Sequence, residues 1–149
     1  MSSSIAALKI VRFDSLDTET QELLKEAVQA RERAYAPYSK FKVGACLLCE
    51  DGSKFKGCNV ENSASGAICA ERTAYVKAVS EGNLKFKAIA VTAYQEKYIT
   101  TPCGACRQFM SEFGNVIVYM TKPDLKEVFV STLDELMPYQ FQHNSDFTF

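Results

Sequence analysis

Apolar residues recur along this chain with two periods. Leu23, Leu24, Ala27, Val28, Arg31, Ala34 and Tyr35 fall at near-helical spacing, and Pro37 stops the run. Asp17 or Thr18 can cap this segment, with Thr18-x-x-Gln21 as a candidate capping box, so it reads as an amphipathic packing helix. Phe41 to Cys49 is an apolar stretch of strand length, and Lys54 to Cys58 reads as its partner across an Asp51-Gly52 turn. Gly57 to Ile68 is a loop of small and polar residues. Ala70 to Glu81 reads as a helix ended by Gly82, and Phe86 to Thr92 as a third strand. Pro102 introduces a second such helix, which ends near Gly114. Val116 to Met120 is a fourth strand, Lys122-Pro123-Asp124 a turn and Val128 to Ser131 a short fifth strand. A last short helix, Leu133 to Met137, precedes a polar and aromatic tail. A hairpin followed by helix–strand alternation predicts an α/β fold: one domain over residues 1–149, with a five-stranded mixed sheet covered by helices on both faces.

Composition narrows the class of partner. The chain has 149 residues, 47% hydrophobic and 23% charged, which is globular and argues against disorder. Seventeen Lys+Arg against eighteen Asp+Glu leave a formal charge of −1, so the balance favours a small-molecule partner over polyanionic nucleic acid. The run Ile5-Ala6-Ala7-Leu8 is broken at once by Lys9, too short for a secretory signal, and no segment approaches membrane-spanning length. The expectation is a cytoplasmic protein with reduced thiols. Six cysteines beside one histidine then point to metal or catalysis before disulfides.

Position sorts the cysteines. Cys46 and Cys49 have the spacing of a metal clip, but residues three apart on a strand face opposite sides, so they read as small hydrophobes. Cys58 gains no role from its spacing. Cys103-Gly104-Ala105-Cys106 follows Pro102 and opens a helix, where N–H groups and the helix dipole stabilise thiolates. Alone, that pair is either half of a zinc site or a redox dithiol. Cys69-Ala70-Glu71, also at a helix start, separates the two. Three thiolates from two helix N-termini give zinc three protein ligands and leave the fourth tetrahedral position for water, the catalytic arrangement. A structural site would need a fourth ligand, and His143 sits in the polar tail with no ligand partner nearby. Glu71 is placed to act as a proton shuttle to that water; by itself it would read as a helix-start carboxylate. Cys69, Glu71 and the Pro-Cys-x-x-Cys element together form the zinc-deaminase signature.

With these motifs in place, the stretch from about Tyr35 to Phe141 resembles the cytidine deaminase family of small free-nucleoside enzymes. The likeness rests on Ala36-Pro37-Tyr38-Ser39-Lys40-Phe41-Lys42-Val43-Gly44, Gly57-Cys58-Asn59-Val60-Glu61-Asn62, Cys69-Ala70-Glu71-Arg72-Thr73-Ala74 and Pro102-Cys103-Gly104-Ala105-Cys106-Arg107-Gln108. It implies an α/β/α sandwich and a Zn2+ cofactor on Cys69, Cys103 and Cys106, with Glu71 as the catalytic acid/base. It further implies that Asn59 and Glu61 bind the ribose hydroxyls, with Glu61 favouring the 3′-hydroxyl, and that Phe41 packs on the pyrimidine. Peptide groups near Ala70 and from Thr101 to Cys103 would orient the base edge. Without the family, Asn59 and Glu61 would read as a loop-stabilising pair and Phe41 as a core residue. Arg72 matches a residue that hydrogen-bonds ligand sulfurs, which offsets the net −1 of three thiolates on zinc; the plain alternative is a helix-surface arginine. Phe141 matches an aromatic that reaches a neighbouring subunit's site, in a family that is usually homotetrameric.

The loop from Asn62 to Ile68 lacks the tyrosine that the family commonly carries there and looks one residue shorter. In the family this loop touches the 5′ side of the sugar. The expected reaction is hydrolytic deamination of cytidine and 2′-deoxycytidine, as in pyrimidine salvage. The competing readings are a blasticidin-S-type aminohydrolase, a polynucleotide deaminase and a non-catalytic zinc or dithiol protein.

Overall fold

The computed structural model describes residues 9–142. Strand β1 (Ile10–Arg12) and a single 3-10 turn lead into helix α1 (Thr18–Arg31). The hairpin follows as β2 (Val43–Cys49) and β3 (Lys54–Cys58), then helix α2 (Ala70–Ser80) and β4 (Phe86–Ala93). Helix α3 (Gly104–Ser111), β5 (Ile117–Thr121), β6 (Glu127–Thr132) and the short α4 (Leu133–Leu136) complete the described chain. The strands form one sheet in the order β1-β6-β5-β4-β2-β3. Only β4 and β5, joined through α3, run parallel; every other neighbouring pair is antiparallel.

Side-chain alternation builds the three layers. Ala45, Leu47 and Cys49 of β2, with Ile89 and Val91 of β4, meet Ala70, Ala74 and Tyr75 of α2 and Cys106 and Met110 of α3. Cys46 and Leu48 of the same strand, with Ala88 and Ala90, meet Leu23, Leu24 and Ala27 of α1 on the other face. Cys46 and Cys49 therefore lie in cores on opposite sides of the sheet, as their spacing requires. They cannot clip one metal.

Three expectations need correction. The sheet has six strands, not five. The extra strand is β1, whose Ile10, Val11 and Arg12 pair with Phe129, Val128 and Glu127 at the sheet edge. Three residues with a largely exposed burial pattern carry no legible period. Second, α1 ends at Arg31 and does not reach Pro37. Tyr35 forms a bridge with Val60, its N–H donating to the Asn59 carbonyl at 3.0 Å and its carbonyl accepting from Glu61 N–H at 2.8 Å. A long-range pairing thus overrides the helical spacing of Ala34 and Tyr35. Third, the helix cap is Asp17, whose carboxylate accepts from Thr20 N–H at 2.8 Å, while Gln21 donates to the Leu16 carbonyl and closes no capping box.

Two glycines set how closely helices lie on the sheet. A Cβ at Gly44 would overlap the α1 backbone at Ala27 and Arg31, and a Cβ at Gly57 would overlap the α2 backbone at Ala70 and Ala74. The second contact matters for function, because it presses the first turn of α2 onto β3. Gly57→Ala should therefore cost about 1–3 kcal/mol by overpacking. Gly104→Ala, which meets open space at ordinary φ, should leave stability unchanged or slightly higher. Urea unfolding of the two variants checks the contrast, and equal midpoints would refute the close-contact argument.

Candidate active site

Helices α2 and α3 start side by side, and each is capped by a cysteine. Cys69 and Cys103 occupy the two N-cap positions in extended backbone, and Cys106 lies in the first turn of α3. The three sulfurs fall within 4.8 Å of one another, and Cys69 Sγ stands 3.9 Å from Cys103 Sγ. Tetrahedral zinc with Zn–S bonds of about 2.3 Å sets its sulfurs about 3.8 Å apart, so the Cys69–Cys103 spacing already matches such an ion and a slight contraction of the cluster would bring all three sulfurs onto it. Soft sulfur donors also suit zinc better than a hard cation.

The surroundings are organised for negative charge. Cys106 N–H points at Cys103 Sγ at 3.4 Å, and Arg72 Nη2 donates to Cys69 Sγ at 3.4 Å. The Cys106 thiol, followed by Arg72 and Cys103, stabilises Cys69 as a thiolate and holds it at about 5. Cys106, beside that thiolate and buried, is pushed up. Its thiol lies 3.6 Å from Glu71 Oε2. Glu71 is only 4% exposed, and burial, with the Cys69 charge adding to it, pushes its carboxyl up. Arg72 Nε is buried without a hydrogen-bond partner among the described residues. Converging thiols beside a buried carboxyl form a donor set suited to a dication, and the Arg72 guanidinium offsets part of the thiolate charge.

A cavity of about 310 Å³ opens beside the sulfurs, lined by Phe41, Asn59, Glu61, Cys69, Glu71, Thr100, Thr101 and Cys103 together with Ser39, Val43, Val60, Ala67 and Ile68. Its size suits a small polar molecule. A larger groove of about 450 Å³ lies at the β3 edge among Gln29, Arg33, Lys56 and Lys77. It contains none of the three clustered thiols and no carboxylate, so the chemistry lies in the smaller cavity.

The fold thus gathers Cys69, Glu71, Arg72, Cys103, Cys106, Phe41, Asn59 and Glu61 from four separate stretches of chain. Phe41 is partly exposed on the cavity wall and is not a core residue. Ala70 is fully buried in the core, so its side chain does not reach the cavity. Phe141 is 78% exposed and outside the cavity, with its carbonyl held by Gln108 at 3.0 Å. Cys58 donates to the Arg33 carbonyl, away from the cluster, and His143 lies outside the described residues.

Asn59 and Glu61 stabilise a loop, as their plain reading expects, and the bonds show which one. Asn59 Oδ1 accepts from Val43 N–H at 2.8 Å, and its Nδ2 donates to the Phe41 carbonyl at 2.8 Å. Glu61 Oε1 accepts from Ser39 N–H at 3.2 Å and Tyr38 N–H at 3.1 Å; the Ser39 side chain first, and then these two amides, hold its carboxyl below the usual range. The pair therefore pins the Tyr38–Val43 segment, in which Lys40 adopts φ 60° directly before Phe41. One Nδ2 hydrogen and Oε2 remain unspent by these bonds, so pinning the loop and reading a ligand are compatible.

The family described as the cytidine and deoxycytidylate deaminase zinc-binding region matches residues 17–121. A cytidine deaminase from Sporosarcina psychrophila is 52% identical over 128 residues, spanning 83% of this chain and 91% of its own. This chain belongs to the cytidine deaminase family. A probable cytidine deaminase from Dictyostelium discoideum is 48% identical over 83% of this chain and 84% of its own. The crystal structure of cytidine deaminase from Burkholderia pseudomallei superposes with a TM-score of 0.76 at 44% identity, covering 85% of this chain and all (100%) of that one. The α/β/α fold and the zinc-dependent deaminase assignment are those of the family, and the three-thiol cluster is the group that could hold the ion. No helix among the described residues is long and apolar enough to cross a membrane.

Thiol reactivity should follow this geometry. In zinc-free protein under native conditions, iodoacetamide should label Cys69 and Cys103 first and leave Cys46 and Cys49 untouched. Burial, then the neighbouring Glu26 charge, pushes Cys46 up to about 12. Added zinc should protect Cys69 and Cys103. Peptide mass mapping reads the order, and early labelling of Cys46 would contradict it.

Proposed function

We propose that this chain catalyses the hydrolytic deamination of cytidine and 2′-deoxycytidine to uridine and 2′-deoxyuridine, with release of ammonia. The observation that carries this reading is the buried Glu71 carboxyl set between the three clustered sulfurs and a cavity walled by Phe41, Asn59 and Glu61. Cys69, Cys103 and Cys106 hold zinc, which when bound supplies Lewis-acid activation of water.

Each protein group then has a defined task. Glu71 takes a proton from the attacking water and delivers it to N3 of the cytosine ring; it then takes the proton of the new C4 hydroxyl and passes it to the departing amino group as the C4 carbonyl forms. Its burial favours the protonated form, which suits a group that must hold a proton between two transfers. Phe41 packs on the pyrimidine face. The free Nδ2 hydrogen of Asn59 and Oε2 of Glu61 take the ribose hydroxyls, with Glu61 on the 3′-hydroxyl. Peptide groups at Ala70 and from Thr101 to Cys103 orient the base edge. Arg72 donates to Cys69 and draws charge from a cluster that would otherwise carry a net −1 with zinc.

The same reading places the enzyme in the cytoplasm, in pyrimidine salvage, as a homotetramer in which Phe141 reaches a neighbouring site. Among the described residues its ring lies at the surface and its backbone carbonyl is held by Gln108, an arrangement that supports such a contact.

The test combines zinc analysis with ultraviolet detection of cytidine-to-uridine conversion, with and without a chelator. One zinc per chain and chelator-sensitive turnover are expected. Glu71→Ala should keep its zinc and lose activity by roughly 10²–10⁴-fold or more. Substantial turnover in that variant would remove Glu71 from the mechanism.

A further inference from the structure

The segment carrying Cys103 is held without secondary structure. Thr100, Thr101 and Pro102 belong to no helix or strand, and no backbone–backbone hydrogen bond holds them among the described residues. Yet Thr100, Thr101 and Cys103 line the cavity, and Cys103 supplies one of the clustered sulfurs. A cavity wall needs its backbone fixed by something.

Arg107, one turn into α3, fills that role. Its Nε donates to the Pro102 carbonyl at 2.7 Å and its Nη2 to Thr101 Oγ1 at 2.9 Å. Its Nη1 reaches in another direction to the Leu136 carbonyl, at the end of α4, at 2.7 Å. The guanidinium is partly buried, and among the described residues it forms no ion pair. Its charge is directed wholly at neutral oxygens. A planar fork with fixed donor directions can fix three partners at once, which a lysine point charge cannot. The next residue, Gln108, holds the Phe141 carbonyl, so α3 grips the segment from Leu136 to Phe141 at two points.

We infer that Arg107 is a positioning residue: it fixes the Thr101–Cys103 wall of the cavity and ties it to the segment after α4. The statement rests on the deaminase reading for its kinetic consequence, and on geometry alone for its effect on Cys103.

The test uses the full-length, zinc-loaded protein and its Arg107→Ala and Arg107→Lys variants. Three quantities are read: kcat/KM for cytidine, the rate of zinc transfer to a chromogenic chelator, and the thermal midpoint. Arg107→Ala should lower kcat/KM on the order of 10²-fold, as expected when a wall segment shifts by about 1 Å. It should speed zinc transfer by roughly 10-fold or more, through looser support of Cys103. Millimolar guanidinium should restore part of both losses in Arg107→Ala and change nothing in the parent. Arg107→Lys keeps the charge and much of the bulk but should remain impaired; it also serves if the alanine variant does not fold. Wild-type kcat/KM and zinc transfer in both variants would overturn the inference. So would losses that only track the unfolded fraction and ignore guanidinium. If the parent itself fails to turn over cytidine, the deaminase reading falls, and the zinc-transfer rate still decides the role of Arg107.

Discussion

The site depends on one backbone-to-backbone contact, the seating of α2 on β3 at Gly57. With no Cβ there, the Ala70 carbonyl and the Ala74 amide come down onto the strand. That seating fixes the N-terminus of α2, and with it Cys69, Glu71 and Arg72. Ala70, Ala74 and Ala78 continue the close approach along the buried face of the helix. On the other side of the sheet, Gly44 does the same for α1, so the hairpin is clamped between two helices at adjacent strands. Sulfurs at a spacing of 3.9 Å leave little tolerance. A helix displaced by the width of a methyl group would separate Cys69 from the α3 cysteines.

Electrostatics follows from this placement. Two helix N-termini meet, so unpaired N–H groups and positive dipole ends converge on the sulfurs. The same packing that brings the helices together removes water from Glu71, which raises its proton affinity. Arg72, one residue on, turns towards Cys69. One helical turn thus supplies a thiol, a buried carboxyl and a guanidinium that donates to the thiol sulfur, because neighbouring residues at a helix start point in different directions while sharing a fixed backbone.

Around this centre the cavity is walled by irregular segments, each held by side chains. Asn59 and Glu61 pin the stretch from Tyr38 to Val43 through four hydrogen bonds to its backbone. Arg107 pins Thr101 and Pro102. Loops adjoining a binding site need open backbone to admit a ligand, and polar side chains replace the ladder bonds that a sheet would supply. Pinning the loop leaves one Nδ2 hydrogen of Asn59 and Oε2 of Glu61 unspent by these bonds, so it does not compete with reading a ligand.

Local chemistry was legible in the residues. Cys69-Ala70-Glu71 and Pro102-Cys103-Gly104-Ala105-Cys106 identify a three-thiolate donor set because metal ligation needs particular atoms at helix starts, and both conditions are written in short stretches of chain. Alternation placed Cys46 and Cys49 on opposite faces for the same reason. Other features depended on contacts between distant segments. Three residues at Ile10–Arg12 become a strand only because β6 offers a free edge. Tyr35 leaves its helical register only because Asn59 and Glu61 capture its backbone. Arg107, directly after Cys106, becomes a clamp only once Leu136 and Thr101 lie within its reach. By itself the sequence determined which atoms are available and, β1 apart, which stretches become helix or strand, since period and side-chain chemistry act over a few residues. Only the tertiary structure decided which of those atoms meet, how deeply Glu71 is buried and which side chains hold the walls, since these depend on strand order and on helix-to-sheet distances set by residues far apart in the chain.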